Sequence, residues 1–583
     1  MDNRLIEDYF TNWDWAVIIG YLALTTFVGH MMRGKQGTIR DFFLGGRSLP
    51  WQAVSGSIIA TEISGVTFIG VAGGLFALHG NFTYLLWGIG SIMGRIIVAK
   101  YFVPRFYEEE IYSPYDYMGR RIGAGAKALA TVVFTVGSIL GQSVRVFVAA
   151  IPLQVVTGLD ISICIVAIGA VAIGWTLMGG MRTVIWTDVM QFGLFTLGGL
   201  ITLFWIISSL QGGWAEYWQT STIYARTEIW DARMQANLKF TIWVAIFAVP
   251  FQNLTAFGVD QLNAQRMFCC KDAKSASKAL VWSSVGQLMT LMMLLVGSAL
   301  VVHYDKNPFT PQEGLVVMGV KGKDAEALAT AEKKLSEAPR IENDAASAAR
   351  ESYIAANPKD EKALGFTHAG TSNVAVVSKP DNVFPMWIVT ELPVGLSGLI
   401  LAGVFAAAIS SLDSILAALS QTSLSLMYHP ENKTDEELES LNLVSKSRML
   451  VVMWGVILTL FTLGLVVVAQ GIPVLPLAFG MTTYTMGPML AIFLCAMLGK
   501  GSVRGLVLGC LVSFAIAMFM RMDVWVLVGK AGADITWLAD LFTYELKDGK
   551  VIPTICFAWI WPLTTIVTFV FGILIPGKPK VAK

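Results

Sequence analysis

The sequence predicts an all-α polytopic membrane protein, and two observations carry that prediction. Of the 583 residues, 55% are hydrophobic and only 14% are charged, whereas a soluble domain carries about 25% charged residues. Apolar runs of about 20 residues also recur along the chain, and each is long enough to cross about 30 Å of hydrocarbon as a helix. The net charge of +1 gives no reason to expect nucleic acid as a partner.

About 13 transmembrane spans are predicted, and we number them 0 to 12. Span 0 follows an acidic stretch, MDNRLIEDYFTNWD, which favours a retained helix over a cleaved signal peptide. Span 8 is too long for one crossing, so we expect it to begin with an amphipathic or re-entrant segment. The predicted limits are 14–32, 51–75, 82–104, 124–155, 160–178, 184–210, 240–260, 277–302, 385–427, 447–470, 473–498, 502–522 and 554–576.

The charges of the connections predict the orientation of the spans. Basic connections alternate with connections that are poor in Lys and Arg. This pattern predicts an outside amino terminus, a cytoplasmic carboxyl terminus and a multi-pass location in the plasma (inner) membrane. The basic residues lie in connections 0–1 (Arg33, Lys35, Arg40, Arg47), 2–3 (Arg105, Arg120, Arg121, Lys127), 6–7 (Arg266, Lys271, Lys274, Lys278), 8–9 (Lys433, Lys446, Arg448), 10–11 (Lys500, Arg504) and the tail (Lys578, Lys580, Lys583).

Residues 303–383 interrupt the apolar pattern between spans 7 and 8. They hold 22 of the 83 charged residues, and the stretch KDAEALATAEKKLSEAPR has the spacing of a short amphipathic helix. Under the predicted topology this insertion lies outside the membrane. A solvated, tolerated insertion is the simpler interpretation, and a lid or a partner surface is the alternative.

Ionisable residues at membrane depth are costly and usually mark a pathway for ions or solutes. The four deepest are Glu62, Arg145, Asp188 and Asp413. Arg95 and Asp260 lie nearer the ends of their spans. For those two, pairing within the protein or extension to the interface explains the charge as well as a function does.

The centre of span 1, SGSIIATEISGVTFIGVAGG (55–74), is crowded with glycines, hydroxyls and Glu62. Such a segment can unwind and turn the carbonyl groups of Ala60 and Ile63 towards a cation. Irregular backbone is tolerated within a bilayer only where it is buried in protein or lines a cavity. A broken helix with an ion site at the midplane is a recurring device of secondary transporters, and a close-packed helix of small residues is the alternative.

Span 8 contains AAAISSLDS (406–414), which is unusually small and polar for a lipid-facing segment. Ala407, Ser410, Ser411 and Ser414 recur at intervals of three and four, so they share one helical face. Hydroxyl and carbonyl oxygens without thiols or imidazoles suit a hard cation. The alternative is that the serines bond back to their own helix while the alanines admit a neighbouring helix.

Span 5 begins with GGMRTVIWTDVMQ (179–191), which places Asp188 about one turn inside the membrane. Arg182 lies six positions away, on a different face of the helix, so it is a poor partner for this carboxylate. We therefore expect Asp188 to be unpaired and to hold sodium or a proton.

With these segments on view, the sequence resembles the sodium:solute symporter family. The resemblance rests on five stretches in the family's order: RDFFLGGRSLPW (40–51), SGSIIATEISGVTFIG (55–70), GGMRTVIWTDVMQ (179–191), DQLNAQR (260–266) and FAAAISSLDS (405–414). It implies two inverted five-helix repeats, spans 1–5 and 6–10. The implied divisions are an N-terminal peripheral helix (1–33), the first repeat (34–210), the start of the second repeat (211–302), the extramembrane insertion (303–383), the rest of the second repeat (384–498) and C-terminal peripheral helices with the tail (499–583).

The resemblance also implies sodium as the coupling ion, with one or two ions bound and no organic cofactor. The principal sodium site would comprise the carbonyls of Ala60, Ile63 and Ala407 and the hydroxyls of Ser410 and Ser411.

A second sodium site, present in some members, would use Asp188, Ser410, Asp413 and Ser414. Asp413 stands where the sialic-acid branch has a neutral hydroxyl. It could therefore be a sodium ligand, a proton carrier or a structural partner.

The resemblance places the solute beside the breaks of spans 1 and 6, with spans 2, 3, 7 and 10 completing the site. The implied solute contacts are Glu62, Thr67, Ser91, Arg145, Asn253 and Gln287, and the implied gates are Trp87, Phe257 and Phe479. Arg145 resembles an arginine that holds a substrate carboxylate in the sialic-acid branch, and a guanidinium can fork onto two oxygens. Pairing of Arg145 with Glu62 is the alternative. Gly88, Ala256 and Phe479 replace polar and tyrosine positions of the bacterial sugar branch, which weakens a simple-sugar assignment.

The predicted function is sodium-coupled import of a small organic solute by alternating access. The solute would be an organic anion, a sialic-acid-like compound or a sugar-type compound. A proton-coupled symporter or a sodium-dependent sensor of the same fold is the alternative, and an ion channel would need a continuous polar pore. The sequence has neither GxxxxGK[ST] nor HExxH, so a pump or an enzyme is not expected. Expected partners are the solute, sodium and the lipid bilayer, with no nucleic acid and no obligatory protein partner.

Overall fold

The computed structural model describes most of the chain, and several sequence predictions fall outside that part. The described residues are 6–32, 44–77, 80–109, 111, 113–177, 181–320, 325–336, 377–428, 443–469, 472–521, 524, 544–547, 550–553 and 555–576. Outside them lie the connection residues Arg33, Lys35, Arg40 and Lys433, the centre of the insertion and the tail lysines.

Each predicted span coincides with a helix or a pair of helices, which confirms the all-α polytopic class. Ten helices of the described residues are long and apolar enough to cross a membrane, two bent pairs raise the number to twelve, and the helix at span 4 is shorter. The spans are Asn12–Met32 (0), Trp51–Glu62 with Val66–Phe76 (1), Phe82–Glu108 (2), Ala124–Thr157 (3), Ile161–Thr176 (4), Met181–Ser209 (5), Ile242–Gly258 with Gln261–Met267 (6), Ala273–Lys306 (7), Leu396–Tyr428 (8), Leu443–Ala469 (9), Val474–Thr482 with Met486–Met497 (10), Val503–Met520 (11) and Phe557–Leu574 (12).

Short elements connect the spans. The helical ones are Ile6–Tyr9, Gly45–Arg47, Pro114–Arg121, Gly213–Ile223, Pro311–Met318, Ala325–Ser336, Pro380–Asn382 and Val383–Glu391. Two strands, β1 (Tyr544–Lys547) and β2 (Lys550–Pro553), form an antiparallel hairpin in which Tyr544 pairs with Pro553. The hairpin precedes span 12 and is a small addition to a helical fold.

The positions of the broken helices agree with two repeats of five spans. Span 1 bends by 55° between its halves and span 6 bends by 57°, so the first helix of each repeat is interrupted. The third helix of each repeat is long and continuous, with 34 residues in span 3 and 33 in span 8.

Local sequence explains both breaks. The first half of span 1 ends at Glu62, and Ile63 takes an extended conformation (φ −80°, ψ 102°) before Ser64 and Gly65. In span 6, Asp260 is extended (φ −69°, ψ 128°), and its side chain caps the second half by accepting a hydrogen bond from the Leu262 amide. Such N-caps stabilise a new helix start, so the chain can stop and restart a helix inside the protein.

Span 8 forms the centre of the molecule. In its most apolar 18-residue window 94% of the residues are buried, compared with 22% for span 0 and 33% for span 11. The small residues of AAAISSLDS therefore face neighbouring helices and not lipid. The segment before span 8, Val383–Glu391, is a separate helix, but Val383, Trp387 and Val389 are all buried. The expected amphipathic pattern is therefore wrong for this segment, because protein covers it on several sides.

The described ends of the insertion pack against the spans. The predicted amphipathic helix is present at Ala325–Ser336, where Ala327 and Ala331 are buried. Asp381 is also buried, and its Oδ2 accepts a hydrogen bond of 3.0 Å from the Val474 amide at the start of span 10. Burial raises the pKa of this carboxyl to about 7. The described ends are thus packed against the spans, and a purely solvated insertion does not describe them.

Candidate functional site

A cavity of about 200 Å³ lies where the breaks of spans 1 and 6 meet. Spans 2, 3, 7 and 10 complete its walls, as the resemblance implies. All nine residues predicted for solute contact and gating line it: Glu62, Thr67, Trp87, Ser91, Arg145, Asn253, Phe257, Gln287 and Phe479. The structure thus brings these residues around one cavity, and their roles in binding remain predictions.

One wall of the cavity contains a closed ion pair. Arg95 Nη2 pairs with Glu62 Oε2, and Gln287 Nε2 donates to Glu62 Oε1 over 3.2 Å. Arg95 also donates to Ser283 Oγ over 2.7 Å, and its guanidinium lies 4.2 Å from the centroid of the Phe257 ring. Arg95 has no solvent exposure, so it does not extend to the interface. Glu62 has this arginine as its partner, and the alternative pairing with Arg145 does not occur.

Arg145 lies on another wall of the same cavity and has a different set of contacts. Its Nη1 donates to the Thr61 carbonyl over 3.0 Å. Among the described residues Arg145 forms no ion pair, and Asp260, which also lines the cavity, caps span 6 instead. Arg145 therefore presents its guanidinium to the cavity without an ion pair, although the Asp260 carboxylate lies near enough to interact with it electrostatically.

The predicted sodium ligands of spans 1 and 8 lie together at the break of span 1. Ser411 Oγ contacts the Thr61 carbonyl (3.4 Å) and the Ala407 carbonyl (3.3 Å), so it joins segments 350 residues apart. Exposure is 0–2% at each of the five predicted ligands, which are Ala60, Ile63, Ala407, Ser410 and Ser411. The donor set is carbonyl and hydroxyl oxygens, which fits a hard monovalent cation.

The Thr61 carbonyl was not among the predicted ligands, yet it connects the two sites. It accepts from Arg145 at the cavity and from Ser411 at the predicted sodium site. A carbonyl inside a continuous helix would accept from a backbone amide one turn later. The break in span 1 makes this oxygen available to side chains.

Asp188 is not unpaired, contrary to the expectation from its sequence neighbours. Its Oδ2 lies 3.0 Å from Arg266 Nη2, and both side chains are at most 1% exposed. Ser57 Oγ donates to Oδ2 over 2.5 Å, and Ser410 Oγ donates to Oδ1. Arg266 comes from DQLNAQR, 78 residues further on, so spacing along span 5 could not identify it. Its position at the end of span 6 suggested only a basic connection.

Asp413 lies beside this pair and forms no ion pair among the described residues. Its Oδ1 accepts from Ser414 Oγ over 3.1 Å, and Ser414 Oγ also accepts from Arg266 Nη2. Asp413 is 1% exposed. The four residues predicted for a second sodium therefore lie together, but Arg266 already contacts two of them. Two carboxyl groups and one guanidinium leave one negative charge when both carboxyl groups are ionised, and burial of an uncompensated charge is costly.

Aromatic rings form one wall of the cavity, which we call the aromatic wall (Tyr84, Trp87 and Phe479). The Trp87 and Phe479 rings meet edge to face with centroids 4.8 Å apart, and Tyr84 lies 5.7 Å from Trp87. Trp87 Nε1 donates to the Lys239 carbonyl over 2.9 Å. Phe257, the third predicted gate, lies under Arg95 and not in this cluster. Sequence reasoning did not include Tyr84, whose only signal was its position three residues before Trp87.

Comparison with known proteins agrees with this arrangement. The model of the sodium:solute symporter family matches residues 42–320 and 352–512. A sodium/sialic acid symporter from Proteus mirabilis (strain HI4320) is 26% identical over 458 residues, which is 78% of each chain. The human sodium/iodide cotransporter is 28% identical over 297 residues (50% of this chain, 44% of that protein), and human sodium-coupled monocarboxylate transporter 2 is 29% identical over 307 residues (52% and 49%). The match thus spans about half the length of these two human relatives.

A solved structure supports the fold. The substrate-bound outward-open state of a Na+-coupled sialic acid symporter aligns with a TM-score of 0.70 over 97% of each chain, at 22% identity. At that identity the likeness establishes the fold, while residue roles must be argued from this chain's own contacts.

Proposed function

Because the chain belongs to the sodium:solute symporter family, whose members are transporters and not enzymes, we propose that it imports a small organic anion with sodium. The observation that carries this choice is Arg145, which faces the cavity without an ion-pair partner among the described residues. A sialic-acid-like acid fits this site better than a simple sugar. We place the protein in the plasma (inner) membrane, with its amino terminus outside and its carboxyl terminus in the cytoplasm.

A carboxylate is the solute group that complements this wall of the cavity. The guanidinium of Arg145 can donate two parallel hydrogen bonds to a carboxylate, a geometry that a point charge cannot offer. Arg95 cannot take this role because Glu62 and Ser283 already occupy it. The names of three relatives, which specify sialic acid, monocarboxylates and iodide, all denote anions. They support an anionic solute without identifying it.

Sodium would bind between the break of span 1 and span 8, at the oxygens of Ala60, Ile63, Ala407, Ser410 and Ser411. An ion there would hold the unwound carbonyls in place, since irregular backbone in a membrane needs fixed partners. The Thr61 carbonyl would then keep a fixed orientation, and with it Arg145. Sodium binding would in this way prepare the solute site. Sodium entering down the membrane potential supplies about 2.3 kcal/mol per charge per 100 mV.

A second cation would neutralise the network of Asp188, Asp413 and Arg266. Arg266 is committed to Asp188, so Asp413 would supply most of the charge for that ion, with Ser410 and Ser414 as neutral ligands. A proton on Asp413 would satisfy the same charge balance, which makes proton coupling at this second position the alternative.

The first experiment is uptake into proteoliposomes under an inward sodium gradient. Sialic acids, monocarboxylates, amino acids and neutral sugars would be compared with and without sodium. We expect accumulation of at least one carboxylate solute that requires sodium. Sodium-dependent accumulation of neutral sugars alone would refute the anionic assignment.

Ser411→Ala tests the sodium site itself. Loss of one hydroxyl ligand removes an interaction worth about 1–2 kcal/mol, so we expect a roughly tenfold higher sodium requirement for half-maximal uptake. Ser420→Ala is the matched control, because Ser420 is equally buried on the same helix but bonds to Ser447. An unchanged sodium requirement in Ser411→Ala would remove this serine from the site.

A further inference from the structure

The first turn of span 12 packs behind the aromatic wall of the solute cavity, although the sequence groups this span with the peripheral helices. The family model ends at residue 512, and span 12 begins 45 residues later, at Phe557. The contribution of this helix must be argued from its contacts with spans 2 and 10.

Trp561 is the residue of span 12 that meets the aromatic wall. It is 1% exposed, and its ring centroid lies 5.8 Å from that of Trp87 and 6.5 Å from that of Phe479. Both pairs are edge to face, an arrangement worth more than the buried area alone. Trp561 is thus a third ring behind the two predicted gates Trp87 and Phe479.

A chain of hydrogen bonds extends from Trp561 to the backbone of the gate. Trp561 Nε1 donates to Thr482 Oγ1 over 3.2 Å, and Thr482 Oγ1 donates to the Phe479 carbonyl over 2.6 Å. Thr482 is the last residue of the first half of span 10 (Val474–Thr482), and it lines the cavity. The indole therefore holds the end of the helical segment that carries Phe479.

Span 12 can hold this position because its backbone packs closely against the second half of span 10 (Met486–Met497). A Cβ placed on Gly487 would lie 2.0 Å from Thr564 Oγ1 and 2.8 Å from the Trp561 carbonyl oxygen, so only glycine permits this approach. Span 10 is interrupted after Thr482 and resumes at Met486. Trp561 consequently contacts both sides of the interruption. Its backbone packs against the second half of span 10, and its ring packs against the first half.

We propose that Trp561 is a positioning residue for the aromatic wall of the solute cavity, so that span 12 belongs to the transport machinery. It keeps Phe479 and Trp87 in contact and sets how readily the cavity opens at this wall. The inference rests on the proposed function in that the cavity is taken to hold the solute. The position of the wall, however, can be measured without any solute.

The test combines a solute-independent probe with transport kinetics. Ala478→Cys introduces a small thiol on the cavity wall, and all six native cysteines are buried. In this background, Trp561→Ala should increase the rate of labelling by a membrane-impermeant maleimide severalfold. It should also raise the solute concentration for half-maximal uptake several- to tenfold while leaving the sodium requirement within twofold.

Trp559→Ala is the matched control, since this tryptophan lies two residues before Trp561 and forms no ring pair with Trp87 or Phe479 among the described residues. It should leave both readouts unchanged.

Trp561→Phe keeps a ring but removes the donor to Thr482, so it should give an intermediate effect. This variant carries the test if Trp561→Ala does not reach the membrane. Wild-type labelling and wild-type solute affinity in folded Trp561 variants would overturn the proposal. Altered labelling in a protein that transports no tested anion would instead contradict only the proposed function.

Discussion

Two buried regions next to each other use the same device, a carboxylate paired with an arginine, and each holds a further charged group outside that pair, a guanidinium at the cavity and a carboxyl group in the other region. At the cavity, Glu62 pairs with Arg95 and the guanidinium of Arg145 is left over. In the neighbouring region, Asp188 pairs with Arg266, and the carboxyl group of Asp413 is left over. Neither of these groups forms an ion pair in the described part of the chain, although the buried carboxylate of Asp260, which caps span 6, also lines the cavity near Arg145.

The difference indicates how two neighbouring regions of one protein can suit ligands of opposite charge. Burying an unpaired charge is costly, and a ligand of opposite charge removes that cost. The cavity is therefore suited to an anion, and the network around Asp413 to a cation. The first half of span 1 contacts both regions, because Ser57 donates to Asp188 and, one turn later, the Thr61 carbonyl accepts from Arg145.

Replacing Arg145 should have the largest effect on transport. Truncating one partner of a buried charge pair costs about 2–5 kcal/mol, so Arg145→Ala should weaken binding of a carboxylate solute by roughly 30-fold or more. Solute-induced thermal shift and uptake into proteoliposomes measure this loss. Arg145→Lys, which keeps the charge but loses the fork, should recover part of it. An unaffected solute affinity in Arg145→Ala would mean that the arginine is structural and that the cavity has no spare positive charge.

The second prediction separates the paired carboxylate from the unpaired one. Asp188→Asn leaves Arg266 buried without its partner, so it should destabilise the protein by about 3–5 kcal/mol. Asp413→Asn removes an uncompensated charge, so it should stabilise the sodium-free protein and reduce the stabilisation that sodium provides. Thermal unfolding with and without sodium gives both comparisons. The charge moved per solute, read from the reversal potential, should fall by one in Asp413→Asn. Equal effects of the two substitutions would show that Arg266 does not distinguish the carboxylates.

The sequence located the spans because they depend on local pattern, and the same kind of pattern singled out the two stretches that are predicted to bind ions. A helix in lipid satisfies its own backbone, so a run of apolar residues is enough to predict it. The break of span 1 was also predictable, since glycines, serines and Glu62 disfavour a continuous apolar helix. The family resemblance added the order of the spans and hence the shared cavity.

The partners of the charges could not be predicted in the same way. Glu62 and Arg95 are 33 residues apart, and Asp188 and Arg266 are 78 apart. Their meeting depends on how spans 1, 2, 5 and 6 pack, which no local pattern encodes. Asp188 looked unpaired because only Arg182 was near it in sequence. Trp561 was missed for a related reason, because an apolar residue in a peripheral span gives no local sign of what it touches.

A third buried carboxylate, Asp381, sharpens the comparison, because it has no guanidinium at all and only the Val474 amide as a described partner. Burial raises its pKa to about 7 from an ordinary value near 3.8. The folded protein therefore binds a proton that the unfolded chain has released between these two values, and its contribution to stability falls as pH rises from about 4 to 7. Asp381→Asn cannot ionise, so at pH 8 it should unfold about 1–3 °C above the wild type, and the difference should be smaller at pH 5 and vanish only below about pH 4. Asp231→Asn is the control of opposite sign. The hydrogen bond from Arg233 lowers the pKa of Asp231, so its contribution is complete above pH 5. That variant should be less stable by the same amount at pH 5 and pH 8. A pH-independent difference in Asp381→Asn would show that the Val474 amide compensates the charge as fully as an arginine would.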